Sequence, residues 1–349
     1  MVVQLTHIKK AFLLLLFLAV GRAAALAQVH NSCSYKYLLT EESVLEHIDF
    51  LTCDSIAGRA AGTRESKIVA DYIASKFEDY GLLPFKSISY FQQFGIPAPK
   101  KNGSVSGGGY NQAYRNISAA AKGQYGLKGH NVVAFLPAAK KNAKYIIVGA
   151  HYDHIGSIGG NFYPGADDNA SGVAAMLEIA KMFGQRYREH NNLEYNMVFV
   201  GFDANNFSLL GSRIFVEKMG LSPNKILCML NIDQIGSTLA PVGDNKEYLL
   251  VLGADKLAPW QREQIDFVNS WFTIGLQLDY SYYGSEEFYS IFYKLSDQHN
   301  FTLAGIPALL FTSGITVHTN KESDTVENLS LPVLRKRIEL IYRFLWFLG

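Results

Sequence analysis

Tyr145-Ile146-Ile147-Val148-Gly149-Ala150-His151-Tyr152-Asp153-His154-Ile155-Gly156 is the stretch on which the fold turns. Its apolar, partly β-branched opening is too short for a helix and predicts a buried strand. The strand ends on His151, with an acid two residues on. A histidine at a strand end beside a carboxylate suits a metal ligand whose ring a neighbour orients, Asp153 being that neighbour. Alone, the pattern is better served by a hydrogen-bonded structural histidine.

Soon after comes Gly165-Ala166-Asp167-Asp168-Asn169-Ala170-Ser171-Gly172, running into a helix expected over residues 171–183. Adjacent acids at a helix start satisfy N-capping and the helix dipole. Their place just after His151, between glycines that let backbone crowd a site, favours ligation. Outward from here, apolar runs at 132–136, 145–148, 197–202, 226–232, 248–252 and 308–311 predict buried strands. Helical spacing predicts helices at 65–80, where Gly81 supplies the stop, and at 209–217 and 332–347. Strands alternating with helices predict an α/β fold, a three-layer sandwich with a mixed, mostly parallel sheet between helices. Ligands in such folds sit at the carboxyl ends of strands. His151, Asp167, Asp233 and His318 all follow strands, and this nitrogen and oxygen set without thiolate suits zinc in a catalytic site.

The order H-x-D, G-A-D-D-N-A-S-G, strand plus G-S-R, N-x-D, S-D-x-x-x-F-x-x-x-G-I-P and a late H-T resembles metallopeptidase family 28, the co-catalytic zinc aminopeptidases to which glutaminyl cyclases are related. The resemblance runs from Gly58-Arg59 to the C-terminal helix. It implies that His151 and Asp233 hold one metal, His318 a second, and Asp167 bridges them. It also implies a cis Asp167-Asp168 bond, an orienting role for Asp153, and a substrate cleft flanked by Asp168 and by Ser296-Asp297.

One motif departs from the family. Where two consecutive glutamates are expected, the chain reads Asp203-Ala204-Asn205-Asn206-Phe207-Ser208-Leu209-Leu210-Gly211-Ser212-Arg213. The flanks keep register, so Asn205 stands in the general-base slot and Asn206 in a metal-ligand slot. An amide cannot carry the proton, and losing general-base help lowers rates by about 10²–10⁴. Charge counting points the same way: Asp167 and Asp233 balance one divalent ion, whereas two ions without the glutamate leave the cleft positive. One firmly bound zinc is expected, with the His318 side weak or empty. The missing glutamate also argues against cyclase activity. Glu286 and Glu287 are candidates for a borrowed carboxylate, surface charge being their ordinary explanation.

The 349 residues begin with a basic start, an apolar run from Ala11 to Val20 and Ala25-Leu26-Ala27, the order of a signal peptide cleaved after Ala27. Export to a periplasm or the extracellular space is the expectation, as is one domain over residues 28–349 with a loop-rich insertion near 88–129 and no transmembrane segment in the mature chain. A net charge of +1 gives no reason to expect nucleic acid as a partner. Three cysteines are too few for a disulfide framework; Cys33 and Cys53 could pair, and Cys228 reads as core. The expected function is aminopeptidase-type hydrolysis at peptide N-termini, impaired by the two asparagines. The alternative is an inactive homologue that binds one metal and a peptide or amino-acid ligand.

Overall fold

A computed structural model describes residues 39–56, 58–97, 127–190, 192–240 and 245–348. From Glu41 onward the chain forms one compact unit. Its centre is a nine-stranded sheet built from β1 (Leu83–Pro84), β2 (Phe91–Gly95), β3 (Lys128–Leu136), β4 (Tyr145–His151), β7 (Asn196–Phe202), β8 (Ile226–Ile232), β9 (Tyr248–Leu252), β10 (Gln277–Asp279) and β11 (Ala308–Thr312). A separate hairpin pairs β5 (Gly156–Ile158) with β6 (Asn161–Tyr163). The order across the sheet is β1-β3-β7-β4-β8-β11-β9-β10, with β2 also on β3. The middle strands β7, β4, β8 and β11 run parallel, while β3 and β9 flank them antiparallel. The α/β sandwich with a mixed, mostly parallel sheet is therefore as the sequence predicts.

Both faces of the sheet are apolar, because successive side chains point to opposite sides. On one face Ile147, Val198, Val200, Phe202 and Met229 pack with Phe215 and Phe301, which come from α4 (Leu210–Lys218) and α7 (Gln298–Leu303). On the other, Phe199 meets Phe77 of α2 (Arg64–Asp79) and Phe183 of α3 (Gly172–His190). Phe311 meets Phe344 of the closing helix α8 (Leu331–Phe347). The remaining helices are α1 (Glu41–Thr52), α5 (Pro259–Trp271) and α6 (Glu286–Phe292). None of the described helices is long and apolar enough to cross a membrane.

One expectation changes here. Residues 91–95 are not loop but β2, an edge strand aligned antiparallel to β3. The glycine-rich part of the expected insertion, 98–126, the signal peptide at 1–27 and Cys33 lie outside the described residues.

Candidate metal centre

Parallel strands discharge their following loops at one edge, so β4, β7, β8 and β11 bring distant residues to a common place. His151 is the last residue of β4 and Asp233 follows β8 directly. Asp168 arrives on the turn Ala166–Ser171, whose backbone departs from helical geometry at Asp168 and Asn169. His151 Nε2 lies 3.4 Å from Asp168 Oδ1 and 3.3 Å from Asp233 Oδ1. Ligand atoms of all three fall within 4.8 Å of one another, and all three residues are buried.

The turn is fastened by three side chains. Asn169 is wholly buried; its Nδ2 donates to Ile232 O at 2.9 Å, and its Oδ1 accepts from Gly172 N and Gln234 N. Asp324 accepts from Asp167 N at 2.9 Å and Asp168 N at 3.0 Å. Arg59, fully buried, donates to the carbonyls of Leu51, Tyr152, Pro164, Gly165 and Asp168. Gly165 has φ 60°, and a Cβ there would stand 2.3 Å from Asp168 O, so only glycine lets the turn close on itself.

These contacts correct the ligand register by one residue. Asp167, expected as the bridge, turns away: its Oδ1 accepts from Gly236 N, Ser237 N and Ser171 Oγ. Asp168, expected only beside the cleft, enters the cluster. The cis bond accordingly falls at Asp168-Asn169 and not at Asp167-Asp168. A run of two acids offers no periodicity that could tell one from the other.

Asp153 also behaves differently from expectation. Its carboxylate is 3.9 Å from His151 Nδ1, and it is the Asp153 carbonyl, at 3.1 Å, that pairs with that nitrogen. The carboxylate instead accepts from Asn205 N at 2.9 Å and Asn206 N at 3.4 Å, which fixes the loop after β7. Asn205 Nδ2 donates to Asp297 Oδ2 at 2.9 Å. Asp297 is fully buried behind Asn205 and does not line the cleft, while its neighbour Ser296 does and donates to Asp233 Oδ2. His318 is not brought to the cluster: it is half-buried, and its Nδ1 meets Ser323 Oγ at 2.9 Å. Glu286 and Glu287 sit exposed in the first turn of α6, outside the cleft lining.

The electrostatics follow from burial and from charges close together. Burial opposes the charged form of His151, but Asp233 and Asp168 outweigh it and raise its pKa. Burial likewise works against the Asp168 carboxylate, yet His154, His151 and Arg59 hold it below the ordinary range. Burial pushes Asp167 up to about 6 and Asp297 upward, and burial with the nearby Asp167 takes Asp324 to about 7. Burial, with Arg59 and His151 close by, lowers His154 to about 3.

One imidazole nitrogen and two carboxylates match the donor set of zinc. Asp233 Oδ1 supports the fit, being buried without a hydrogen-bond partner and aimed at His151 Nε2. The cluster opens into a cleft of about 390 Å³. Asn205, Asn206 and Gln234 line it with Tyr282, Phe292 and Leu295. Arg59, Asn169 and Asp324 were assigned no role from sequence, whereas Ser296 lies beside the cleft as the resemblance implied. The one available signal was Arg59, a lone charge in the small and apolar run Ile56-Ala57-Gly58-Arg59-Ala60-Ala61.

A family model described as Peptidase family M28 matches residues 131–345. Among curated proteins, a probable lipoprotein aminopeptidase LpqL of Mycobacterium tuberculosis is 30% identical over 201 residues, 56% of this chain and 37% of that protein. A probable leucine aminopeptidase of Trichophyton verrucosum is 35% identical over 116 residues, 32% of this chain and 30% of that protein. The matched stretches thus span about a quarter to a third of the length of the curated relatives. Among solved structures, the zinc aminopeptidase BSAP of Bacillus subtilis superimposes with a TM-score of 0.66 at 18% identity, over 89% of this chain and 95% of that one. Glutaminyl cyclase of Porphyromonas gingivalis gives 0.64 at 16% identity, over 89% and 99%.

Proposed function

Because the chain belongs to peptidase family M28, we propose that it is a zinc-dependent, peptidase-like protein directed at peptide N-termini whose hydrolysis is impaired. The observation that carries this reading is the conjunction of a ligand cluster, His151, Asp168 and Asp233, with amides at the two positions that face it from the loop after β7. Zinc bound by those three residues would supply Lewis-acid polarisation of a peptide carbonyl.

What the chain's own residues do is narrower. Asn205 cannot take a proton, and its NH₂ is held by Asp297. Asp297 has a carboxylate but lies behind Asn205, off the cleft wall. Asn206 lines the cleft as a neutral amide in place of a charged ligand. Two aspartates neutralise one divalent ion, so one zinc per chain is the occupancy we propose. The same two asparagines favour a second reading, a homologue that binds one metal and a peptide without turning it over.

The deciding experiment is zinc stoichiometry with a chelator-sensitive aminopeptidase assay, on the wild type and on Asn205→Glu/Asn206→Glu. One zinc and little or no turnover in the wild type, with added zinc and activity in the double variant, is the expected result. Two tightly bound zinc ions and full turnover in the wild type would refute impairment. On the N-terminal pattern we also propose export with cleavage after Ala27; N-terminal sequencing of the mature product should begin at Gln28.

A further inference from the structure

Several donors on the cleft wall around the Asn205-Asn206 pair are already engaged. Ser296 Oγ donates to Asp233, Thr312 Oγ1 to Gln234 O, and Thr319 Oγ1 to Gln234 Oε1, so these hydroxyl protons are already engaged. The backbone N–H groups of Asn205 and Asn206 are engaged by Asp153. Asn205 Nδ2 is held by Asp297 at 2.9 Å; a carboxylate has no proton to offer, so the amide is oriented with nitrogen inward and Oδ1 is left for the cleft. No Lys or Arg is among the described residues lining the cleft, so with Asp168 and Asp233 balanced by one zinc no side-chain cation there repels an ammonium. Asn206 contributes the complementary group, an amide nitrogen that is buried and without an acceptor.

We propose that the Asn205-Asn206 pair is a subsite for a protonated primary amine, Asn205 Oδ1 accepting from the ligand's ammonium and Asn206 Nδ2 donating to the carbonyl oxygen beside it. The inference rests on the reading of the cleft as a site for peptide N-termini, and it adds the charge state in which that terminus binds. A cation takes the place that a second metal would need a carboxylate to hold. An amine bound to metal must first lose its proton; an amine bound here keeps it. The two cases give opposite dependence on pH.

The test is calorimetric binding of Ala-Gly-Gly and N-acetyl-Ala-Gly-Gly to the zinc-loaded protein between pH 6.5 and 9.5. His151, Asp168 and Asp233 face the ligand, with Asp297 and Asp153 behind the asparagines. Their ionisation favours the ammonium over the neutral acetyl amide and so raises the affinity ratio with pH, whereas loss of the ligand's own proton lowers it, and a fall above pH 8 therefore reports the ligand's proton. The free amine should bind about 10- to 100-fold tighter than the acetylated peptide below pH 8. The ratio should then shrink by about tenfold per pH unit above the amine's pKa near 8. Asn205→Leu and the smaller Asn205→Ala should both retain zinc and bring the ratio close to one. A ratio that grows through pH 8, or survives in either variant, overturns the proposal. Equal binding of the two peptides sinks the subsite alone, whereas no binding of either sinks the underlying reading with it.

Discussion

Asp167 and Asp168 are adjacent, acidic and buried, yet one holds backbone and the other faces the ligand cluster. Substitution should separate them. Asp168→Asn removes a charged ligand and should abolish firm zinc binding, read by metal analysis after dialysis. Asp167→Asn keeps an oxygen that can accept from Gly236 N and Ser237 N, so zinc should remain, at a stability loss of about 1–2 kcal/mol in denaturant titration. Zinc lost from Asp167→Asn and kept by Asp168→Asn would reverse the assignment. Sequence showed that an acid of this pair belonged to the site but not which one, because the choice is made by the turn's contacts with Asp324, Arg59 and Asn169, residues far apart in the chain. His151 and Asp233 were legible for the opposite reason: each terminates an apolar run that can only be a buried strand.

The elements that were legible, β3, β4, β7, β8, β9, β11, α2, α3, α4 and α8, carry long apolar patterns. Those that were not are held by other means. β2 reads Phe-Gln-Gln-Phe-Gly and owes its place to backbone pairing with β3. β10 has three residues and follows β9 only in register. α1 shows Val44, Ile48 and Leu51 at helical spacing within a polar twelve-residue segment. Arg59 joins these levels, since its guanidinium ties the carbonyl of Leu51 in α1 to those of Tyr152, Pro164, Gly165 and Asp168 around the site. Arg59→Lys leaves an ammonium that cannot reach five carbonyls in a fixed fork. The variant should lose about 3 kcal/mol or more in denaturant titration and bind zinc more weakly, since unpaired buried carbonyls carry the desolvation penalty. Unchanged stability would mean that water or a shifted backbone satisfies those carbonyls.

At the scale of the whole molecule, Cys228 reports on the integrity of the core. It lies in β8, fully buried, and burial pushes its thiol from 9.0 up to about 12. Between those values the unfolded chain releases the proton and the folded chain keeps it. Stability present below pH 9 is therefore lost as pH rises through the window. The stability difference between wild type and Cys228→Ala should shift against the wild type by about 1.4 kcal/mol on going from pH 8 to pH 10. A difference that does not move would mean the thiolate forms readily inside the fold.

The strand order also has a consequence in time. β11 is the last strand made, yet it lies between β8 and β9, and Phe311 O receives the N–H of Asp233. A growing polypeptide that has not yet released residue 312 from the ribosome therefore carries two open strand edges at the middle of its sheet and an Asp233 whose backbone is not yet anchored. Synthesis can assemble β1-β3-β7-β4-β8, the part that carries His151, Asp168 and Asp233, early, but β9 and β10 join it only through β11 and must wait for nearly the whole chain, and during that wait the unpaired edges are what a chaperone would have to cover.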